Sequence, residues 1–110
     1  MKERKIIAYK THYKDFMSTL NDSVKKKIHY GLDLLASQKR VSKKYVSYLR
    51  EGLYELRTEY ESNIYRIFFI FDKEKLVVLF NGFQKKTQKT PESEINKALI
   101  LKKQYYARKQ

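Results

Sequence analysis

The chain has 110 residues, of which 25 are Lys or Arg and 12 are Asp or Glu, so its formal net charge is +13. Hydrophobic residues make up 42%, which is enough for a folded core, and this length favours a single domain over residues 1–110. Because there is no cysteine, disulfides, thiolate catalysis and cysteine-based metal sites are excluded.

The strong positive charge points to a polyanionic partner, because binding a phosphate backbone releases condensed counterions. RNA or the ribosome is therefore favoured, with an acidic protein or a merely solvated basic surface as alternatives. The N-terminal segment MKERKIIAYKTHYKDF lacks the apolar region of a signal peptide, and apolar runs such as Ile67–Phe71 are far shorter than a membrane span. We expect a cytoplasmic protein that does not contact a membrane.

The first half of the chain predicts one strand and two helices. Residues 5–11 are suited to a short strand, and helical spacing follows at Tyr13, Phe16, Met17 and Leu20. A longer helix begins after the cap candidates of residues 21–23, with one apolar face formed by Val24, Ile28, Leu32 and Leu35. Its outer face carries three lysines, residues 25–27, which either keep the helix solvated or contact RNA phosphates or an acidic partner.

The second half predicts three strands in a row. From Leu53 onwards apolar and polar residues alternate, with Glu55, Arg57 and Glu59 on the polar side. Two apolar segments follow, IYRIFFIF and KLVVLF, which are typical of central strands in an antiparallel meander.

A final basic helix is predicted after these strands. Thr90 and Pro91 are suited to its N-cap and first position. Acidic residues in its first turn interact favourably with the positive end of the helix dipole. The expected fold class is therefore α+β. An antiparallel sheet, made of the N-terminal strand plus a three-stranded meander, is combined with two N-terminal helices and one C-terminal helix.

Arg66 is the most informative single residue, because it interrupts an apolar strand where a charge is costly to desolvate. One interpretation is an internal ion pair with Glu55 or Glu59 on the neighbouring strand. The other is a rigidly held guanidinium that contacts a phosphate through two nitrogens. Arg57 shares a face with the same acids, so it fits a surface charge ladder or a weaker phosphate contact.

A lysine cluster stands between the last strand and the last helix, in the stretch FNGFQKKTQKTP that contains Lys85, Lys86 and Lys89. Cleavage of RNA by its own 2′-hydroxyl needs a base, a group that stabilises charge on phosphorus, and an acid for the leaving oxygen. Lysines that lie close to other cations have lowered pKa values, which suits proton transfer.

Neither a metal site nor any other cofactor is expected. Glu55 and Glu59 point to one side of their strand, but they are four residues apart, roughly 13 Å, which is too far for one metal ion. The two histidines, His12 and His29, fall in the predicted N-terminal helices, far in sequence from the lysine cluster. A ribonuclease that uses paired histidines is therefore unsupported.

Three segments in this order resemble a known family: YLREGLYELRTEY, then IYRIFFIFDKEKLVVLFNGFQKKTQKTP, then a basic terminal helix. The chain resembles the HigB-like, phage-derived branch of the RelE/ParE superfamily of type II toxin–antitoxin toxins, strongly over residues 46–107 and only by layout before that. The resemblance implies a small RelE-like α+β domain with a twisted antiparallel sheet, helices packed on one face, and an RNA-facing cleft on the other.

The resemblance also implies a function. Such a toxin is a ribosome-dependent mRNA endoribonuclease, which cleaves through the RNA 2′-hydroxyl without a metal and so inhibits translation. Its expected partners are the ribosome, mRNA and a cognate antitoxin, a helix-turn-helix protein of the HigA type. Operator DNA would be bound only through the antitoxin complex. Two alternatives stay open: a gyrase inhibitor of the ParE type, and a basic RNA-binding or ribosome-binding module without catalysis.

Carried over by position, Arg66 matches a family arginine that contacts the scissile phosphate, and Lys85 or Lys86 matches the basic position after the last strand. Phe83 and Lys89 would flank the RNA, with Arg57 as a weaker addition. The sequence departs from RelE itself at Leu53 and Glu55, where RelE has lysines. Glu55 is therefore an alternative candidate for the base.

Overall fold

The computed structural model describes residues 3–85 and 90–109. In this part of the chain the order of elements is β1 (Lys5–Ala8), α1 (His12–Ser18), α2 (Asp22–Ser37), β2 (Val46–Arg50), β3 (Leu53–Tyr60), β4 (Asn63–Phe71), β5 (Leu76–Lys85) and α3 (Glu92–Lys109). The α+β class, the two N-terminal helices, the meander and the C-terminal helix are confirmed. No helix within the described ranges is long and apolar enough to cross a membrane.

The sheet has five strands in the order β1-β5-β4-β3-β2. Strands β3, β4 and β5 form the predicted antiparallel meander, whereas β1 runs parallel to β5, with Lys5 opposite Leu76. The sheet is therefore mixed, and not fully antiparallel as predicted, because β1 and β5 are far apart in the sequence and no hairpin fixes their relative direction. Strand β2 was not predicted; it pairs antiparallel with β3 and places Val46 opposite Leu56. Because β2 lies at the edge and none of its residues is fully buried, its sequence lacks the strong apolar alternation of a half-buried strand.

Helices cover both faces of the sheet. Helices α1 and α2 pack on one face, over a core that includes Val24, Ile28, Leu35, Leu56, Ile67 and Phe69. Helix α3 packs on the other face, over a core that includes Leu53, Phe68, Ile70, Val78, Phe80 and Ala98. The expectation that all helices pack on one face is therefore wrong. Helices lie on both faces because a strand such as β4, which is apolar on both sides, must be covered on both sides.

The C-terminal end of α3 is anchored to the sheet by a buried carboxylate. Asp72 is only 4% exposed, and its Oδ2 accepts hydrogen bonds from the Tyr105 hydroxyl at 2.6 Å and from Lys109 Nζ at 2.5 Å. The bonds from Lys109 and Tyr105 lower the pKa of Asp72. Burial, followed by the bond to Asp72, raises the pKa of Tyr105 to about 12.

This anchor predicts a specific dependence of stability on pH. The lowered pKa of Asp72 stabilises the fold above its unfolded value of about 3.9, and that contribution is lost as the pH falls through the folded value. The raised pKa of Tyr105 stabilises the fold below about pH 10, and that contribution is lost as the pH rises towards 12. Asp72→Asn should lower the free energy of unfolding by about 1–3 kcal/mol at pH 7.

Urea unfolding followed by circular dichroism between pH 3 and pH 11 measures this effect. The difference between the wild type and Asp72→Asn should shrink as the solution becomes acidic. A matched control is Asp33→Asn, which removes an exposed carboxylate of α2. A difference that stays constant from pH 7 to pH 3 would show that the ionised form of Asp72 does not stabilise the anchor.

Candidate nucleic-acid interface

One part of the α3 face carries charged residues instead of core residues. Arg57 of β3 lies opposite Arg66 of β4, and Arg66 lies opposite Phe83 of β5, so the three form a row across the sheet. Glu55 and Lys85 are two residues away from this row on β3 and β5, and therefore point to the same face. We call Glu55, Arg57, Arg66, Phe83 and Lys85 the basic face.

A β-bulge in β5 is what brings Phe83 and Lys85 onto this face. The register between β4 and β5 shifts between the pairs Phe69–Leu79 and Ile67–Gly82. Phe80 therefore belongs to the α3 core, while Gly82 packs against Phe16 of α1 on the opposite face. Without the extra residue, strict alternation from Phe80 would have placed Lys85 on the α1 side.

Arg66 forms a buried ion pair with Glu55, through Nη1 and Oε2. The side chain of Arg66 is only 11% exposed and that of Glu55 only 2%. Burial lowers the pKa of Arg66. The predicted ion pair is therefore confirmed, with Glu55 and not Glu59 as the partner. Nε of Arg66 is also buried, and it has no hydrogen-bond partner among the described residues. A phosphate contact by Arg66 stays a prediction.

Arg57 has a different environment, although it lies directly opposite Arg66. Its Nη2 is 3.3 Å from Oε1 of Glu59, a carboxylate that is largely exposed. This pair confirms the predicted charge ladder along β3. Because Glu59 is exposed to water, it neutralises the charge of Arg57 only weakly. The basic face therefore keeps an excess of positive charge.

Lys85 lies at the end of β5, where the charges of both arginines act on it. Burial lowers the pKa of Lys85, and the charges of Arg66 and Arg57 lower it further. The sequence predicted the direction of this change, but burial is a larger cause than the neighbouring cations. Phe83 stacks on Phe68 with ring centroids 5.6 Å apart and an interplanar angle of 25°, so one of its ring faces belongs to the α3 core.

Two of the predicted site residues, Lys86 and Lys89, lie outside the described residues. The structure resumes at Thr90, whose hydroxyl donates a hydrogen bond to Oε1 of Glu55 at 3.3 Å. Helix α3 begins at Glu92, and its first helical bond runs from the Ile95 amide to the Pro91 carbonyl. Thr90 is therefore not the N-cap, and the prediction of an N-cap at Thr90 is wrong.

Thr90 and Asn81 are site neighbours that the sequence did not reveal. The Nδ2 group of Asn81 donates to the backbone carbonyl of Glu94 at 3.3 Å and to its Oε1 at 3.2 Å. Asn81 and Thr90 thus tie the start of α3 to β5 and β3 beside the basic face. No periodicity signals such contacts, because both depend on how the start of α3 packs against β3 and β5. The histidines lie on α1 and α2, on the other side of the sheet.

The basic face combines three cations, one buried carboxylate and an aromatic edge. Two guanidinium groups side by side suit phosphate oxygens, because Arg presents paired donors in a fixed geometry. A lysine with a lowered pKa beside them suits proton transfer. Within residues 3–85 and 90–109, no group of three or more His, Cys, Asp or Glu side chains could hold a metal ion.

Comparison with known families shows the family of the chain. A family model described as "Phage derived protein Gp49-like (DUF891)" matches residues 15–103, which include every element from α2 to β5 and most of α1 and α3. No curated protein matches the chain. The matched family is RelE/toxin-like, so the resemblance seen in the sequence holds at the level of the broad toxin superfamily. An antitoxin is the partner that such a family suggests.

Proposed function

The chain belongs to the phage-derived Gp49-like family, a RelE/toxin-like family, and from that premise we propose that it is a ribosome-dependent mRNA endoribonuclease. It would be the toxin of a type II system of the HigB-like branch, neutralised by a helix-turn-helix antitoxin of the HigA type. The observation that carries the proposal is the gathering of Arg57, Arg66 and Lys85 on one sheet face beside the buried Glu55.

In the proposed reaction, the scissile phosphate binds against the two arginines. Glu55 holds Arg66 through Nη1, so the guanidinium keeps a fixed orientation on the face that would receive the phosphate. As the RNA 2′-oxygen attacks phosphorus, negative charge develops on the non-bridging oxygens. Fixed guanidinium groups stabilise this charge more in the transition state than in the ground state.

Proton transfer is assigned to Lys85. Its neutral amine accepts the proton of the 2′-hydroxyl, the bond between phosphorus and the 5′-oxygen breaks, and that oxygen takes a proton from water. The products are a 2′,3′-cyclic phosphate and a 5′-hydroxyl end. The lowered pKa of Lys85 supports this role, because it increases the fraction of neutral amine at a given pH. Lys86 stays an alternative by sequence position.

The same geometry supports the proposed dependence on the ribosome. The basic face offers a few charged groups on an open sheet, and they must meet an RNA strand whose 2′-hydroxyl, phosphorus and 5′-oxygen are in line. Holding reacting groups in such a geometry can contribute several kcal/mol, about 7–11 kcal/mol in favourable cases. In this proposal the ribosome holds the mRNA in place and the chain supplies the charges.

A reconstituted translation reaction with one defined mRNA tests the proposal. The purified protein should cut the coding region within codons when ribosomes translate it, as mapped by primer extension. The same mRNA without a start codon should stay intact. Intact mRNA in both reactions would contradict the proposal. Inhibition of gyrase supercoiling under those conditions would then indicate a ParE-type toxin, and no inhibition would indicate a binding module.

Lys85 provides a prediction about the pH dependence of cleavage. Lys85→Arg keeps the positive charge but removes a group that can lose its proton. We expect a loss of roughly 100-fold in single-turnover rate at pH 7, the lower end of the effect of a positioned general base, because a guanidinium cannot accept the proton. Wild-type cleavage should rise with pH from 6 to 9, because the neutral amine becomes more populated.

The control for this experiment is Lys75→Arg, in the turn directly before β5 and so at the opposite end of that strand from Lys85. It should leave both the rate and the pH profile unchanged. The apparent affinity for programmed ribosomes should be similar for the wild type and Lys85→Arg. If Lys85→Arg shows the wild-type slope with pH, Lys85 does not carry the proton.

A further inference from the structure

A small groove lies at the edge of the sheet, away from α3. It is about 90 Å³ in volume and is formed by α2, the segment before β2, and the end of β3. Its lining residues are Lys27, Tyr30, Lys44, Tyr45, Arg57, Thr58 and Glu59. We call it the tyrosine groove. This volume is far below the roughly 300 Å³ of a typical small-molecule pocket, so the groove is too small to enclose a whole ligand.

The groove exposes an aromatic ring to solvent. Tyr30 is 56% exposed, which is unusual for a large side chain on a helix whose opposite side is core. Its ring meets that of Tyr45 with centroids 6.3 Å apart at an angle of 69°. In such an edge contact the flat face of one ring stays available, and a nucleobase can stack on it.

Cations surround these rings. Lys44 Nζ lies 5.7 Å from the centroid of Tyr45, and Lys27 Nζ donates to the backbone carbonyl of Glu59 at 2.8 Å. Among the described residues that line the groove, three are cations, including Arg57, and one, Glu59, is a carboxylate. Aromatic rings interleaved with lysine and arginine are the combination that binds single-stranded nucleic acid, because the cations follow the backbone while the rings stack with bases.

The tyrosine groove is continuous with the basic face through Arg57, which belongs to both. The Arg57 amide donates to the Tyr45 carbonyl at 2.6 Å, so the segment that carries Tyr45 runs directly along β3. The side chain of Arg57 points to the α3 face with Arg66, whereas Tyr30 projects from α2 on the other face. An RNA strand that contacts the basic face can therefore pass around the edge of the sheet.

We propose that the tyrosine groove binds a base of single-stranded RNA, stacked on Tyr30, with the neighbouring phosphates held by Lys44 and Arg57. This inference rests on the proposed function only for the source of the RNA, which is either the mRNA next to the cut or a ribosomal RNA strand. Tyr30 and Lys44 only bind RNA and take no part in the bond cleavage, whereas Arg57 is shared with the basic face. The proposed RNA path thus includes Tyr30 and Lys44, which the sequence did not reveal as binding residues.

The test is a binding measurement that requires no ribosome. Fluorescence anisotropy of a labelled 2′-O-methyl oligoribonucleotide, which lacks the attacking hydroxyl, reports affinity without cleavage. Tyr30→Ala should weaken binding about fivefold or more, since stacking on an aromatic side chain contributes roughly 1–3 kcal/mol per base. Tyr30→Phe keeps the ring and should bind within twofold of the wild type. A plot of log affinity against log salt concentration has a negative slope, and Lys44→Ala should make this slope less steep by about one.

Tyr48→Ala is a closely matched control. Tyr48 is 57% exposed, but it lies on β2 outside the groove, with its ring against Tyr54. Equal affinities of Tyr30→Ala and Tyr48→Ala, within twofold, would overturn the inference. Because this assay detects binding alone, it can fail while mRNA cleavage in translation reactions succeeds, or succeed while cleavage fails.

Sedimentation with ribosomes identifies the source of the RNA. If Tyr30→Ala lowers binding only to ribosomes that carry mRNA, the groove holds mRNA. If it also lowers binding to mRNA-free ribosomes, the groove holds ribosomal RNA. Both results support the inference, whereas unchanged sedimentation in both cases, together with unchanged oligonucleotide affinity, contradicts it.

Discussion

Arg66→Ala is expected to lower mRNA cleavage on the ribosome by about 100- to 1,000-fold, the loss that follows removal of one fixed group that stabilises transition-state charge. Arg66 is the buried member of the arginine pair, and its position is set by Glu55, so neither water nor Arg57 can take its place. Single-turnover cleavage in the reconstituted translation reaction measures the effect. Arg66→Lys should also lose most of the activity, because an ammonium group lacks the planar paired donors.

Two further variants separate chemistry from folding. Arg66→Ala leaves Glu55 buried without its partner, whereas Glu55→Gln combined with Arg66→Met removes both charges and should fold. The double variant should still be inactive. Arg108→Ala, on an exposed residue near the end of α3 and roughly 24 Å along the helix from its start, should cleave normally. If Arg66→Ala cleaves mRNA at the wild-type rate, the proposed site is wrong.

Glu55→Ala is expected to have the largest effect on stability, a decrease of about 3–5 kcal/mol in the free energy of unfolding. Glu55 is 1% exposed, and it binds both the Arg66 guanidinium and the Thr90 hydroxyl. Its removal leaves a buried charge without a counterion and frees the start of α3. For a protein of this size such a loss is a large part of a total stability of about 5–15 kcal/mol.

Urea unfolding of Glu55→Ala and Glu59→Ala gives the comparison. Both glutamates lie on β3 and face the same side, and both pair with an arginine, but the side chain of Glu59 is 56% exposed. Glu59→Ala should therefore cost less than about 1 kcal/mol. Adding Arg66→Met to Glu55→Ala should restore part of the lost stability. Equal costs for the two glutamates would indicate that burial of the ion pair does not matter.

Several features of the fold and site could be predicted because they depend on local sequence. The alternation in residues 53–60 and the apolar segments after it correctly identified the meander, since side chains in a strand point to alternate faces. Arg66 was expected to need an acid or a phosphate, because a charge in an apolar strand cannot stay unpaired. The acid is Glu55, one of the two candidates.

Other features depend on contacts between distant parts of the chain. The pairing of β2 with β3 and of β1 with β5 joins segments whose own patterns are weak, and an edge strand gains order mainly from its neighbour. The position of α3 on the second face depends on which apolar surface α1 and α2 leave uncovered. The choice of Glu55 over Glu59 depends on the diagonal geometry between β3 and β4.

The amino-acid sequence was enough to predict the class of fold, the excess of positive charge, the absence of cysteine chemistry and the need of Arg66 for an anionic partner. Which of these residues come into contact depends on how the elements pack. The bulge in β5 changes the side-chain phase by one residue and so brings Lys85 to the face of Arg66. The fold of the chain before β2 brings Tyr45 to Tyr30 and Arg57. Such effects arise from packing between elements, which no local pattern encodes.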